Sequence, residues 1–239
     1  MPFNLSEVVP WGRSYAEYVA MFSMSASDLQ ARVLGCGDGP ASFNRGLTMR
    51  GGSTVSVDPI YAFTVEEIKN RIDETYDLVL AETRKNREEF TWGSISTVEE
   101  LGRIRRSAMA EFLEDFDKGR SEGRYLAGSL PRLIFQDDEF DLALCSHLLF
   151  LYSEQLSAEF HLDAIEELCR VAAEVRIFPL LELGAKRSRH LEPLLAKLNA
   201  CHYRAEIRRV AYEFQRGGNE MLVVSRHDAK QDSGAEQSS

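Results

Sequence analysis

The chain is short of cysteine, has no excess of positive charge and contains no long apolar run. Each shortage closes off a class of protein. Four cysteines, Cys36, Cys145, Cys169 and Cys201, stand among 239 residues. They lack both the paired spacing of a metal site and the density of a disulfide framework, so a reducing cytosol and no bound metal are expected. Lys and Arg number 28 against 38 Asp and Glu, a net charge of -10. A sequence-independent hold on nucleic acid needs a basic footprint, so nucleic acid is not an expected partner. Short basic runs at Arg103-Ile-Arg-Arg106, Lys186-Arg-Ser-Arg189 and Arg208-Arg209 read as solvated faces of helices or strands. No stretch is long and apolar enough to span a bilayer, and the start, Met1-Pro-Phe-Asn-Leu-Ser-Glu7, lacks the charged and apolar regions of a leader. A cytoplasmic protein without a membrane partner is expected. No internal repeat is visible.

What is present suits one globular domain, since 44% of the residues are hydrophobic and 28% charged. The most informative stretch is Ala31-Arg-Val-Leu-Gly-Cys-Gly-Asp-Gly-Pro40, followed by Ser53-Thr-Val-Ser-Val-Asp58. It reads as strand, glycine turn, helix, second strand and an acid at that strand's tip. Glycines at 35, 37 and 39 let backbone approach a ligand closely and tolerate positive φ. An acid so placed can accept both hydroxyls of a ribose, so a nucleoside-containing cofactor is expected. The dinucleotide spacing Gly-x-Gly-x-x-Gly is absent: position 40 is Pro and position 42 is Ser.

Further along, strand and helix patterns alternate, which predicts a mostly parallel α/β sheet. Thr64-Val-Glu-Glu67 and Ser96-Thr-Val-Glu99 carry the capping-box signature of helix starts. Strand-like runs lie at Tyr125-Leu-Ala127, Phe140-Asp-Leu-Ala-Leu-Cys145 and Glu174-Val-Arg-Ile-Phe-Pro-Leu180, and a terminal hairpin at 205–214 and 221–225. The segment from about 62 to 124 is far longer than an ordinary crossover and reads as a helical insertion beside the ligand crevice. The expected division is an N-terminal helical lid at 1–30, a cofactor-binding domain at 31–225, and a polar, disordered tail at 226–239.

These residues resemble the class I (Rossmann-like) S-adenosylmethionine-dependent methyltransferases over nearly all of 31–225. The resemblance implies a doubly wound, mostly parallel seven-stranded sheet with a C-terminal antiparallel hairpin, S-adenosyl-L-methionine as cofactor, and methyl transfer to a small-molecule acceptor. Gly35, Cys36, Gly37 and Gly39 match the family's glycine motif. Val33 replaces the acid that the family keeps two residues before the first glycine, where it orients the cofactor's amino-acid end. Asp58 matches the ribose-binding acid, with Pro59 and Ile60 just beyond it against the adenine. Ser129 stands where many members place an adenine-binding aspartate, and the Leu130 N–H faces the adenine ring. Cys145, Ser146 and His147 fall where the fourth strand meets the reacting methyl. The amino-methylating Asn/Asp-Pro-Pro-Tyr signature is absent, in keeping with a small acceptor.

Among single residues, His147 is the candidate catalytic group, a base for a substrate hydroxyl or amine; the alternative is a histidine shaping the pocket wall. Arg13 is either the partner of the cofactor carboxylate, replacing the function lost at Val33, or a surface arginine. Tyr15 and Tyr18 read as core, while Tyr152 and Glu182 fall near the substrate side. Two other readings of the whole chain stay open: a non-catalytic S-adenosylmethionine sensor, and a nicotinamide-dependent oxidoreductase. Neither the oligomeric state nor the acceptor atom is legible.

Overall fold

A computed structural model of the chain describes residues 9–227. The polar tail expected at 226–239 therefore lies outside the described residues apart from Arg226 and His227, as do the first eight residues of the expected lid. Seven strands form one sheet: β1 (Arg32–Cys36), β2 (Ser53–Val57), β3 (Tyr125–Leu126), β4 (Phe140–Ser146), β5 (Ala172–Phe178), β8 (Tyr203–Arg209) and β9 (Glu220–Arg226). Their spatial order is β3-β2-β1-β4-β5-β9-β8. The first five are mutually parallel, and β9 runs antiparallel to both β5 and β8. This is a Rossmann-like, mostly parallel seven-stranded sheet with an antiparallel C-terminal hairpin. β6 (Leu181–Glu182) and β7 (Lys186–Arg187) form a small separate hairpin, which the sequence reading missed. Two residues per strand are too few to leave a periodic signal.

Strand alternation sorts the sheet's side chains onto two layers. Val33, Leu142 and Leu144 face α1 (Tyr15–Met21) and α2 (Phe43–Thr48), where they meet Tyr18, Phe22, Phe43 and Leu47. Leu34, Ala143, Cys145 and Val175 face α5 (Ala158–Val171) and α6 (Leu191–Ala200), against Ile165, Leu168, Leu194 and Leu198. All of these are buried, and each large apolar side chain so placed contributes roughly 1.5–3 kcal/mol. The Ser14 hydroxyl opens α1 by accepting the Glu17 N–H, while the Glu17 carboxylate takes the Ser14 N–H in return.

α1 and α2 approach closely because Gly46 has no side chain. A Cβ there would lie 2.6 Å from the Cβ of Tyr15, whose ring stacks on Phe43 at 5.9 Å. Gly46→Ala is therefore expected to destabilise the fold by roughly 1–3 kcal/mol through overpacking, even though alanine favours helix by about 1 kcal/mol. Chemical denaturation measures this, and equal or higher stability would contradict it.

The segment between β2 and β3 forms two long helices, α3 (Val65–Lys85) and α4 (Val98–Ser121). α3 starts at the expected capping box, Thr64 with Glu67. α4 starts one residue later than the sequence reading has it. Thr97, not Ser96, is the N-cap and accepts from the Glu100 N–H, while Ser96 donates both its N–H and its hydroxyl to the Glu100 carboxylate. Two overlapping Ser/Thr-x-x-Glu frames compete here, and only packing chooses between them. A short antiparallel contact joins the loop between α3 and α4 to the loop before β9: Thr91 N–H donates to the Phe214 carbonyl, and Arg216 N–H to that of Glu89.

Candidate functional site

In a parallel sheet the strands' carboxyl ends share one edge, and ligands sit in the crevice where crossovers leave in opposite directions. Here that point lies between β1 and β4. A cavity of about 480 Å³ opens along it, within the range of small-molecule sites. The turn after β1 forms its floor. Gly37 and Gly39 have φ of 71° and 54°, in the left-handed region that favours glycine. A Cβ on Gly37 would come within 2.6 Å of the Leu148 side chain, whereas one on Gly39 would meet nothing within 4 Å. The turn is tied to β2 through Asp58. Gly39 N–H donates to one of its carboxylate oxygens at 2.9 Å, and Ile60 N–H to the other at 2.9 Å. Each oxygen keeps a further lone-pair site for a ligand hydroxyl. Burial moves the Asp58 pKa upward, against those two N–H groups.

Gly35 is placed differently from its expected role, for it does not line the cavity. A Cβ on Gly35 would collide with the Asp38 carboxylate, so its bare backbone makes room for that acid. Asp38 is buried and accepts hydrogen bonds from the hydroxyls of Tyr18, at 2.9 Å, and Ser56, at 2.7 Å. An acid thus sits inside the turn itself, while Val33 packs in the core. Burial pushes the Asp38 pKa up to about 6, opposed by those two hydroxyls and reinforced by Asp58. An acid whose folded pKa is raised stabilises most when protonated. Its contribution is full below the ordinary carboxylate range and is lost as pH rises through about 6, a swing of roughly 2–3 kcal/mol. Asp38→Asn is expected to remove that swing, read as the change in unfolding free energy between about pH 4 and pH 7. An unaltered pH dependence would show that Asp38 titrates normally.

The N-terminal segment brings charge to the same edge. Glu17 accepts from Arg105 Nη1 on α4, at 2.6 and 2.5 Å, and from the Tyr212 hydroxyl at 3.0 Å. Burial raises the Glu17 pKa, but Arg105, the Ser14 N–H and Arg13 outweigh it and hold the carboxyl at about 2. Arg13 lines the cavity and makes one hydrogen bond, from Nη1 to the Trp11 carbonyl at 3.0 Å. Its Nε is buried without a partner. Burial, and then the nearby Arg105, lower the Arg13 pKa to about 10, so it is a cation at neutral pH, and among the described residues no carboxylate bonds to it. His147 has φ of 53°, an uncommon conformation for a non-glycine residue and one worth a functional explanation. Its N–H donates to the Phe178 carbonyl at 2.7 Å, and Nδ1 lies 2.9 Å from the Ser146 hydroxyl. Burial, followed by Arg13 and Arg105, pushes its pKa well below the usual value, so the imidazole is neutral.

Of the remaining expected site residues, Cys36, Pro59, Ile60, Ser129, Leu130 and Ser146 line the cavity. Cys145 does not: its side chain lies in the core beneath the sheet, because alternation along β4 turns it away from the face that carries Ser146. Tyr152 faces the cavity, whereas Glu182 pairs with Arg189 at the surface. Tyr18 is core and also holds Asp38. Sequence reasoning missed Arg105, Tyr212, Phe90 and Phe214, all of which line the cavity. They come from the insertion and from the loop before β9, and no local spacing relates them. Asp38 did carry a signal, as an acid set among three glycines. Among the described residues no helix is long and apolar enough to cross a membrane.

No protein-family model matches the chain. Among solved structures, it resembles magnesium protoporphyrin IX methyltransferase (ChlM) from Synechocystis PCC 6803 with bound SAH, at 13% identity and a TM-score of 0.48, over 88% of this chain and 80% of that one. It also resembles the PH0226 protein from Pyrococcus horikoshii OT3, at 13% identity and a TM-score of 0.46, over 90% and 91%. At these values the fold assignment rests on strand order and register. A protein of Methanocaldococcus jannaschii, the uncharacterized protein MJ0045, is 34% identical over 226 residues, which is 93% of this chain and 98% of that protein. With a third of the residues identical along nearly the whole length of both proteins, the chain belongs to the same family as MJ0045.

Proposed function

We propose that this protein is an S-adenosylmethionine-dependent methyltransferase acting on a small-molecule acceptor. The observation that carries the reading is the tie between Gly39 and Asp58 at the crevice between β1 and β4, on a sheet whose sixth position is the antiparallel β9. A dinucleotide-binding sheet continues in parallel at that position, which weighs against the nicotinamide reading.

The residues present fit the cofactor. Asp58 has lone pairs to spare for the ribose hydroxyls. Ile60 and Leu130 offer apolar faces to the adenine, and Ser129 offers it a polar one. Arg13, a half-buried cation that lines the cavity, suits the carboxylate of the amino-acid end. When bound, the cofactor supplies an electrophilic methyl group on a sulfonium.

The chain's own contribution is mostly alignment and exclusion of water. The glycine turn and Asp58 set the nucleoside, and Arg13 sets the far end, so the methyl group is presented beside Ser146 and His147. With Nδ1–H donated to the Ser146 hydroxyl, the neutral His147 keeps a free lone pair on Nε2. That atom takes the acceptor's proton where one must leave, provided the ring stays uncharged until then. The insertion helices and the loop before β9 wall the cavity.

Incubation with methyl-labelled S-adenosylmethionine and a cell extract tests the reading. The expected product is a labelled small molecule that passes an ultrafiltration membrane. Label retained on protein or RNA would overturn the acceptor class. Tight cofactor binding with no turnover in any extract would favour a sensor, and tight NAD binding with no S-adenosylmethionine binding would favour an oxidoreductase.

A further inference from the structure

The glycine turn is gripped from the insertion side by a residue that does not line the cavity. Tyr61 is 1% exposed and lies behind the crevice, whereas Gly39, Pro40 and Asp58 face it. The Tyr61 hydroxyl donates to the Gly39 carbonyl at 2.7 Å. That carbonyl belongs to the peptide leading into Pro40, which has no N–H. The plane of this peptide therefore carries one hydrogen-bonding group, and Tyr61 holds it.

Gly39 is thus tied at both ends to one short stretch of chain. Asp58 accepts its N–H at 2.9 Å, and Tyr61 addresses its carbonyl. Asp58 also caps the 3-10 helix Pro59–Ala62 that carries Tyr61, and its own carbonyl accepts the Tyr61 N–H at 3.2 Å. The three residues close a ring of hydrogen bonds. A Cβ on Gly39 would meet nothing within 4 Å, so these bonds, not packing at its Cα, set its conformation. The aim of the hydroxyl comes from the insertion. Phe112 on α4 stacks on the Tyr61 ring at 5.8 Å, Phe116 lies at 5.7 Å, and Tyr125 at the start of β3 meets the ring at 5.3 Å. All three are buried.

We propose that Tyr61 is a positioning residue for S-adenosylmethionine: it sets the Gly39 peptide so that the Asp58 carboxylate keeps the orientation that receives the ribose hydroxyls, and it does so from the aromatic core of α4. This rests on the methyltransferase reading. The insertion then has a second role besides walling the cavity, because α4 orders the cofactor's half of the site as well.

The test is calorimetry of the full chain with S-adenosylhomocysteine, on the unaltered protein, Tyr61→Phe, Asp58→Ala and the double variant. Tyr61→Phe keeps the ring and its packing and removes only the hydroxyl. It is expected to weaken the ligand about tenfold, with cooperative denaturant unfolding retained. In Asp58→Ala the turn is already released, so there the same substitution is expected to cost less than about threefold. A residue that acted only on stability would show no such dependence on Asp58. The positioning role is overturned if Tyr61→Phe binds within about threefold of the unaltered protein, if the further loss in Asp58→Ala is as large as in the unaltered background, or if the double variant no longer binds. Should Tyr61→Phe fail to fold, Phe112→Met decides, since it keeps the volume and removes the stacked ring: a loss of at least about threefold supports the role and an unchanged affinity overturns it. Failure of S-adenosylhomocysteine to bind the unaltered protein overturns the methyltransferase reading itself; binding that is indifferent to Tyr61 overturns only the positioning role.

Discussion

Glu17→Ala is expected to destabilise the protein by about 3–5 kcal/mol, the range found when one partner of a buried ion pair is removed. Glu17 and Arg105 are 9% and 1% exposed, and Glu17 is the carboxylate that Arg105 and the Tyr212 hydroxyl both address. Without it two cations, Arg13 and Arg105, face each other across the cavity edge with no counter-charge. The pKa gives the same scale. Held at about 2 instead of 4.5, the carboxyl contributes roughly 3 kcal/mol that is present above the ordinary carboxylate range and lost as pH falls through about 2. Adding Arg105→Met to the variant should recover much of the loss, because an apolar side chain of similar length leaves no unpaired charge. Denaturant unfolding of the single and double variants checks both statements. A loss under about 1 kcal/mol in Glu17→Ala would mean that the pair is effectively solvated. The pair also couples function to fold: it joins α1, α4 and the loop before β9, three elements that wall the cavity.

The second large effect is on ligand binding. Asp58→Ala is expected to weaken S-adenosylmethionine by about 30- to 150-fold, roughly 2–3 kcal/mol. Two losses combine. The ribose hydroxyls lose a charged acceptor, and the Gly39 and Ile60 N–H groups lose the carboxylate that orders the turn. Asp58→Asn separates them, since its amide oxygen still receives one N–H while the charge is gone; its affinity should fall between the two. Calorimetry reads each value. An affinity of Asp58→Ala within about threefold of the unaltered protein, under roughly 0.7 kcal/mol, would remove Asp58 from the ribose site.

The parts of the site that were legible in the sequence are those built from neighbours along the chain. The glycine turn requires residues that accept positive φ, and only a short list does. Asp58 follows a strand of alternating residues, so its place at the strand's end could be read directly. The capping box at Thr64 was likewise local. Where two local frames overlapped, at Ser96 and Thr97, the reading slipped by one residue. Cys145 was assigned to the site because the resemblance puts the end of the fourth strand at the reacting methyl, and the alternation of β4 placed it on the opposite face from Ser146. Gly35 was taken as part of the cradle, whereas it makes room for Asp38.

The sequence by itself determined the α/β alternation, the turn, the acid and hence the class of cofactor to expect, because these follow from backbone conformation and from spacings of a few residues. Only the tertiary structure decided how charge is arranged around them. Glu17 and Arg105 are separated by 88 positions and Glu17 and Tyr212 by 195, and the loops that carry Phe90 and Phe214 meet through hydrogen bonds across more than a hundred residues. Such contacts leave no periodicity. They are set by how the insertion packs against the sheet, which is where the buried Arg105 finds its carboxylate.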